Sequence, residues 1–356
     1  MKKKLLLDAL LLFLLGVFSS FSLPPFNFFL INFFKFSIFF IFLFKKLNTQ
    51  SDKKIYFFYG WFFGFGYFLT NIYWISISLT FDKDFSYLIP MSIILIPALL
   101  ALFYGLITLI FLFFNLKNLL ISFFLFSLLF GTIEFIRGNI FTGFPWNLII
   151  YSLSEKLNFI SIISVVGTYS LNLIVISLFS APAIYILRKS KKDILVFIIF
   201  IFIPILFINY GNYYKQKFLN NEIKDNPYII RVIGSNISLD RFYSNVQTEN
   251  VINELIKLSA PNKTKKILFL WPEGIIPDTY QDELNLYSYM FKENFNKNHL
   301  IGLGITKRLL SENGEIYFNS FSLFDYELNL IEDYNKINLV PFGEFLPYEN
   351  ILNNVG

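Results

Sequence analysis

Two carboxylates and one amine near the end of the chain have the types and spacing for proton transfer beside a stabilised oxyanion. Glu273 follows the apolar run Ile267-Leu-Phe-Leu-Trp-Pro272. A carboxylate just past a buried strand is held rigidly with little water, which raises its pKa toward that of a general base. The amine is Lys336, in Tyr334-Asn-Lys336. A lysine in a neighbouring loop stabilises a developing negative oxygen and holds the acid by charge. Glu344, eight residues on, can orient Lys336 or share its proton traffic. Each of the three, taken singly, also reads as a surface salt bridge or a turn residue. Their combination, with Pro341-Phe-Gly343 leading into Glu344, sets the group apart.

The elements that must position these groups follow an α/β pattern. The composition turns polar at about Tyr214, and residues 214–226 read as a linker. The spacing then predicts a strand at Tyr228–Gly234, a helix at Asn245–Leu258, and a strand at Lys266–Trp271. A helix at 282–296 and a strand at 300–305 come next. A hairpin at Asn313-Gly314 carries Ile316 to Phe324, with Asn319 inside it. Such alternation means a layered α/β domain over 227–356, whose sheet lacks a closing element.

Residues 1–213 have a different solvent. The chain is 55% hydrophobic, with 48 Phe among 356 residues. That exceeds the ~45–50% apolar share of soluble domains and reads as a polytopic membrane protein. Seven spans are expected, at about 5–23, 26–44, 55–79, 87–114, 119–136, 159–187 and 194–210. Lys35 interrupts the second, where a lysine must snorkel or face other helices. Gly60 and Gly64 form a pair suited to close helix contact. Alternating spans put Lys2, Lys3, Lys4, Lys45, Lys46, Lys53, Lys54, Lys117, Arg188, Lys189, Lys191 and Lys192 on one side. Only Lys83, Arg137 and Lys156 fall in the opposite loops. The N-terminus is therefore expected in the cytoplasm and the α/β domain outside. The net charge of +5 follows this topology rather than a nucleic-acid footprint. One outer loop, Arg137 to Asn147, carries Gly143-Phe-Pro-Trp146. It reads either as an interfacial aromatic anchor or as a lid or lipid-entry element. Glu134 and Arg137 can pair on one helix face before it.

Taken together, Trp271-Pro-Glu273-Gly-Ile-Ile-Pro277, Tyr317-Phe-Asn319-Ser, Tyr334-Asn-Lys336 and Leu339-Val-Pro-Phe-Gly-Glu344-Phe-Leu-Pro347 resemble apolipoprotein N-acyltransferase. Leu339–Glu344 is the most specific part, and the resemblance covers most of the chain. It implies a bacterial inner-membrane enzyme with a helical bundle and a nitrilase-like αββα sandwich of the carbon–nitrogen hydrolase type. It also implies a Glu-Lys-Cys triad, with Glu273 as base, Lys336 at the oxyanion and Glu344 in support. Asn319 matches a family asparagine near the site, and Trp146 a loop tryptophan near the lipid path. The family passes a phospholipid acyl group to the cysteine as a thioester. The α-amine of a diacylglyceryl-cysteine on an apolipoprotein then accepts it. No cofactor is implied.

The sequence departs from that pattern in two places. It contains no Cys, and the nucleophile expected several tens of residues after Lys336 does not occur before Gly356. Phe242-Tyr243 stands where the family offers a tryptophan. The expectation is the N-terminal part of a longer enzyme, or a truncated or split product that is inactive as it stands. A membrane-tethered nitrilase-like amidase and a catalytically dead membrane protein are the alternatives. No metal cluster is expected. Gly302-Leu-Gly304 lacks the third glycine of a dinucleotide fingerprint, and His299 reads as a surface turn.

Overall fold

The computed structural model describes residues 2–80, 83–140, 143–221, 227–235, 247–311, 314–340 and 344. Asn313, Phe242, Tyr243 and the Phe345-Leu-Pro347 end of the last motif lie outside them. The chain divides into two compact units, Met1–Asn221 and Glu222–Gly356.

The first unit is helical: α1 (Lys2–Val17), α2 (Ile31–Lys46), α3 (Lys53–Ile72), α4 (Ile89–Phe114) and α5 (Leu119–Asn139). Two single turns follow, α6 (Leu157–Ile160) and α7 (Ile163–Val166), and then α8 (Thr168–Leu187) and α9 (Lys191–Leu219). Counting their 3-10 extensions, six helical segments among the described residues are long and apolar enough to cross a membrane. They are Lys3–Ser22, Lys53–Thr80, Asp84–Phe114, Leu119–Asn139, Thr168–Leu187 and Lys191–Leu219. The expected second span is the sixteen-residue α2. The expected sixth begins at Thr168, because Gly167 (φ +78°) separates it from the single turns before it. Asn118 and the Ser190/Asp193 box cap α5 and α9, which satisfies N–H groups that lipid could not.

The Phe-rich composition makes the bundle core aromatic. Phe39 stacks on Phe63 at 4.1 Å, and Phe36 meets Phe130 edge-on at 5.7 Å. The Gly60/Gly64 expectation holds: a Cβ on Gly60 would lie 2.1 Å from the carbonyl oxygen of Tyr104, so α4 lies directly against α3. Lys35 does not snorkel. It is 1% exposed and faces other helices, with Nζ over the rings of Phe36 (4.5 Å) and Tyr67 (5.3 Å).

The second unit carries β1 (Ile229–Val232), α10 (Thr248–Ser259), β2 (Ile267–Trp271) and α11 (Ser288–Asn294). After them come β3 (His299–Ser311), β4 (Gly314–Asp325) and β5 (Leu330–Asn335). The strands form one mixed sheet in chain order, with β1-β2-β3 parallel and β3-β4-β5 antiparallel. Ile267, Phe269 and Trp271 pack with Ile301, Leu303 and Ile305 on one face, under Val251, Ile252 and Leu255 of α10 and Phe291 of α11. Leu268 and Leu270, on the other face, are half-exposed, and Val232, Phe321 and Tyr334 on that face are exposed. His299 is not in a surface turn. It opens β3, buried between Phe269 and Phe295, and its Nε2 pairs with the Asn262 carbonyl at 3.0 Å. Burial lowers its pKa.

Candidate active site

Glu273 sits where β2 ends. Burial alternates along Ile267, Phe269 and Trp271, so the last inward position is taken by the indole. The chain then leaves the layer through Glu273 and Gly274, which has φ +57°. The expectation of a carboxylate held with little water is not met: its side chain is 61% exposed. Trp271 and Ile275 fill the core on either side, and Glu273 is turned outward between them.

Lys336 directly follows β5. Its backbone N–H donates to the Asn319 carbonyl at 2.8 Å, which ties it to β4. Asn319 lies opposite Thr306 of β3. Four strands, β2 to β5, thereby bring the distant sequence segments together. Lys336 Nζ donates to Glu344 Oε1 at 2.8 Å and to Glu273 Oε1 at 3.3 Å. Asn319 Nδ2 bonds the same two oxygens, at 2.6 Å for Glu344. Four of the five expected site residues therefore form one network; Trp146 belongs to the helical unit.

The two carboxylates are not equivalent. Glu344 spends both oxygens, since Oε2 accepts the Val340 N–H at 2.7 Å. Glu273 Oε2 has no hydrogen-bond partner among the described residues. The Glu344 hydrogen bond, followed by Glu273, raises the pKa of Lys336. The Lys336 hydrogen bond, with those from Val340 and Asn319, lowers the pKa of Glu344. An ammonium has three N–H donors, and two are engaged here. Among the described residues the group thus offers one free carboxylate oxygen and one free ammonium proton, the pair a base-assisted acyl transfer needs.

Two cavities flank it. One of about 310 Å³ is lined by Trp271, Glu273, Phe321, Tyr334 and Lys336; the other, about 370 Å³, by Glu273, Ile305, Tyr317, Lys336, Leu339 and Glu344. One positioning residue escaped the sequence reading. A Cβ on Gly304 would lie 2.7 Å from Glu273 Cα, so only glycine lets the β2 end close onto β3. The signal is the second glycine of Gly302-Leu-Gly304, which in sequence looks like part of a nucleotide fingerprint.

Comparison with known proteins finds relatives of one kind. The apolipoprotein N-acyltransferase N-terminal domain matches residues 15–181. The apolipoprotein N-acyltransferase of Brucella melitensis biotype 1 is 26% identical over 369 residues, covering 98% of this chain and 67% of the relative. That of Rhizobium leguminosarum bv. trifolii is 29% identical, covering 96% and 66%. That of Rhodopseudomonas palustris is 30% identical, covering 83% and 57%. The chain is similar to apolipoprotein N-acyltransferases over nearly its whole length. It spans about two thirds of the length of the first of these relatives. That similarity supports an acyltransferase, and the six long apolar helices support a membrane setting.

Proposed function

We propose that the chain supplies the acid–base half of an acyltransferase site that N-acylates the diacylglyceryl-cysteine of apolipoproteins from a phospholipid donor. The observation that carries this reading is the division of labour between the carboxylates. Glu273 keeps a free oxygen to take a thiol proton, while Glu344 is fully engaged in holding Lys336. The thiolate attacks the phospholipid ester carbonyl, and the free N–H of Lys336 meets the oxyanion. Glu273 returns the proton to the leaving lysophospholipid alkoxide, which leaves a thioester. The acceptor amine then attacks the thioester and the thiol is released. The thiol itself is not among these 356 residues.

In this reading the bundle makes seven crossings, with α2 as the short one. At ~1.5 Å per residue it is about 24 Å long, somewhat less than a ~30 Å hydrocarbon core. One end of α2 pairs with the start of α1 through Lys46 and Asp8, and accepts from Tyr56 at Leu43. The other end bonds the 149–153 turn through Asn32 and Ser152, at 2.9 Å. Seven crossings and the basic residues put the N-terminus in the cytoplasm and the α/β unit outside it, in the inner membrane. Helices on one face of the sheet and half-exposed apolar residues on the other suit a nitrilase-like αββα sandwich, in which a second layer buries Leu268, Leu270 and Phe321.

The test is a thioester trap. The gene is expressed in bacterial membranes with its natural flanking DNA, and the membranes are treated with an alkyne-phospholipid. Hydroxylamine-labile label on the product is expected, and Glu273→Ala and Lys336→Ala should each lower it by about 10²-fold or more. Absence of label, or label indifferent to both substitutions, sinks the reading.

A further inference from the structure

The chemistry above leaves one buried charged network unused. Glu134 and Arg137, one turn apart near the end of α5, are ion-paired and both fully enclosed by the bundle. Tyr104 of α4 donates to the other Glu134 oxygen at 2.6 Å. An ion pair among apolar helices is expensive relative to an apolar pair, so its presence calls for a task that apolar residues cannot do. The task is visible at Arg137 Nη1, which donates to the carbonyls of Phe144 (2.6 Å) and Trp146 (3.0 Å). The Arg137 carbonyl accepts the Phe144 N–H at 3.0 Å. Tyr67 of α3 donates to the Asn147 carbonyl, and Asn147 Nδ2 to that of Asn71. Non-helical backbone beside lipid must find its partners within the protein, and the 143–147 loop finds them here.

The loop so fixed carries an aromatic stack. The Trp146 ring lies 4.8 Å from that of Trp74 at 25°, and 6.2 Å from that of Phe144 at 21°. Trp146 is half-exposed, and Trp74 over a third. Flat, partly exposed indoles beside membrane-crossing helices suit the boundary between headgroups and acyl chains.

We infer that Arg137 is a positioning residue that holds Phe144, Trp146 and Trp74 as a preformed ledge for the glycerol and upper acyl region of a phospholipid. Its purpose rests on the acyltransferase reading. Glu134 and Tyr104 act through it by fixing the direction of the guanidinium fork. A lysine ammonium keeps the charge but cannot span two carbonyls and a carboxylate in one plane.

The test uses the full chain in phosphatidylcholine nanodiscs, with and without brominated acyl chains. Two stacked indoles give an exciton couplet in the far-ultraviolet circular dichroism, whose size is set by subtracting the Trp146→Phe spectrum. Arg137→Ala is expected to lose the couplet and the Trp146-dependent part of bromolipid quenching, with helix content unchanged. Arg137→Lys is expected to lose much of both, which a role in neutralising Glu134 alone would not produce. A couplet of wild-type size in either variant overturns the proposal, as does unchanged quenching. If Arg137→Ala does not fold, Arg137→Lys decides. Neither readout needs turnover, so a failed thioester trap and a failed ledge are separate results.

Discussion

The bundle and the α/β unit each hold a cluster of carboxylates and cations, in opposite settings. In the bundle the Arg137 and Glu134 side chains are 1% and 0% exposed, and their bonds run to each other, to a neighbouring helix and to the 143–147 loop. In the α/β unit Glu344 and Lys336 are 22% and 33% exposed and, with the still more open Glu273, border two cavities. Similar residue types are thus committed to structure in one place and left available in the other. The difference is solvent: a buried pair cannot lose a partner without leaving a bare charge, whereas a partly hydrated one can exchange a partner for substrate.

That contrast can be broken by mutation. Glu134→Ala leaves Arg137 unpaired inside the bundle and is expected to cost roughly 3–5 kcal/mol, read as lost resistance to denaturing detergent. Glu344→Ala is expected to cost under about 1 kcal/mol by the same measure, because water replaces the lost bonds. Equal costs would mean that the two clusters do not differ in kind.

A smaller effect is expected from crowding the open cluster. Gly304→Ala pushes a methyl group toward the Glu273 backbone and is expected to cost about 1–3 kcal/mol in the α/β unit, with loss of acyl transfer. Gly302→Ala meets first the tip of the Phe321 ring, a side chain that can turn aside, and is expected to be milder. Greater sensitivity at Gly302 would remove the positioning role given to Gly304.

The smallest effect concerns pH. The pKa of Glu344 is lowered, so its contribution is present above the ordinary carboxylate range and is lost as pH falls through the lowered value. The pKa of Lys336 is raised, so its contribution is complete below the ordinary lysine value and is lost as pH rises through the raised one. Competitive amine labelling at about pH 10 should find Lys336 slower to react in the native protein than in Glu344→Gln. Equal rates would show that Glu344 does not hold the ammonium.

Much of this was legible in the residues. Strand and helix periodicity placed β2, α10 and β4 because each buries one regular face; the types and spacing of Glu273, Lys336 and Glu344 pointed to one group, and the family resemblance added Asn319. Three things were not legible, each for a physical reason. The outward turn of Glu273 depends on Trp271 taking the last inward position. The burial of His299 depends on Phe269 and Phe295 arriving from other elements. The reach of Arg137 to two loop carbonyls is a matter of backbone course, which no side-chain pattern encodes.

The most direct test of the central claim is mass spectrometry of lipoprotein N-termini in bacterial cells whose own N-acyltransferase is depleted. With the gene in its natural flanking DNA, conversion of the diacyl to the triacyl form is predicted, and Lys336→Ala should leave the diacyl form. Triacylation at the full rate with Lys336→Ala would contradict the assignment of this cluster as the acyl-transfer site.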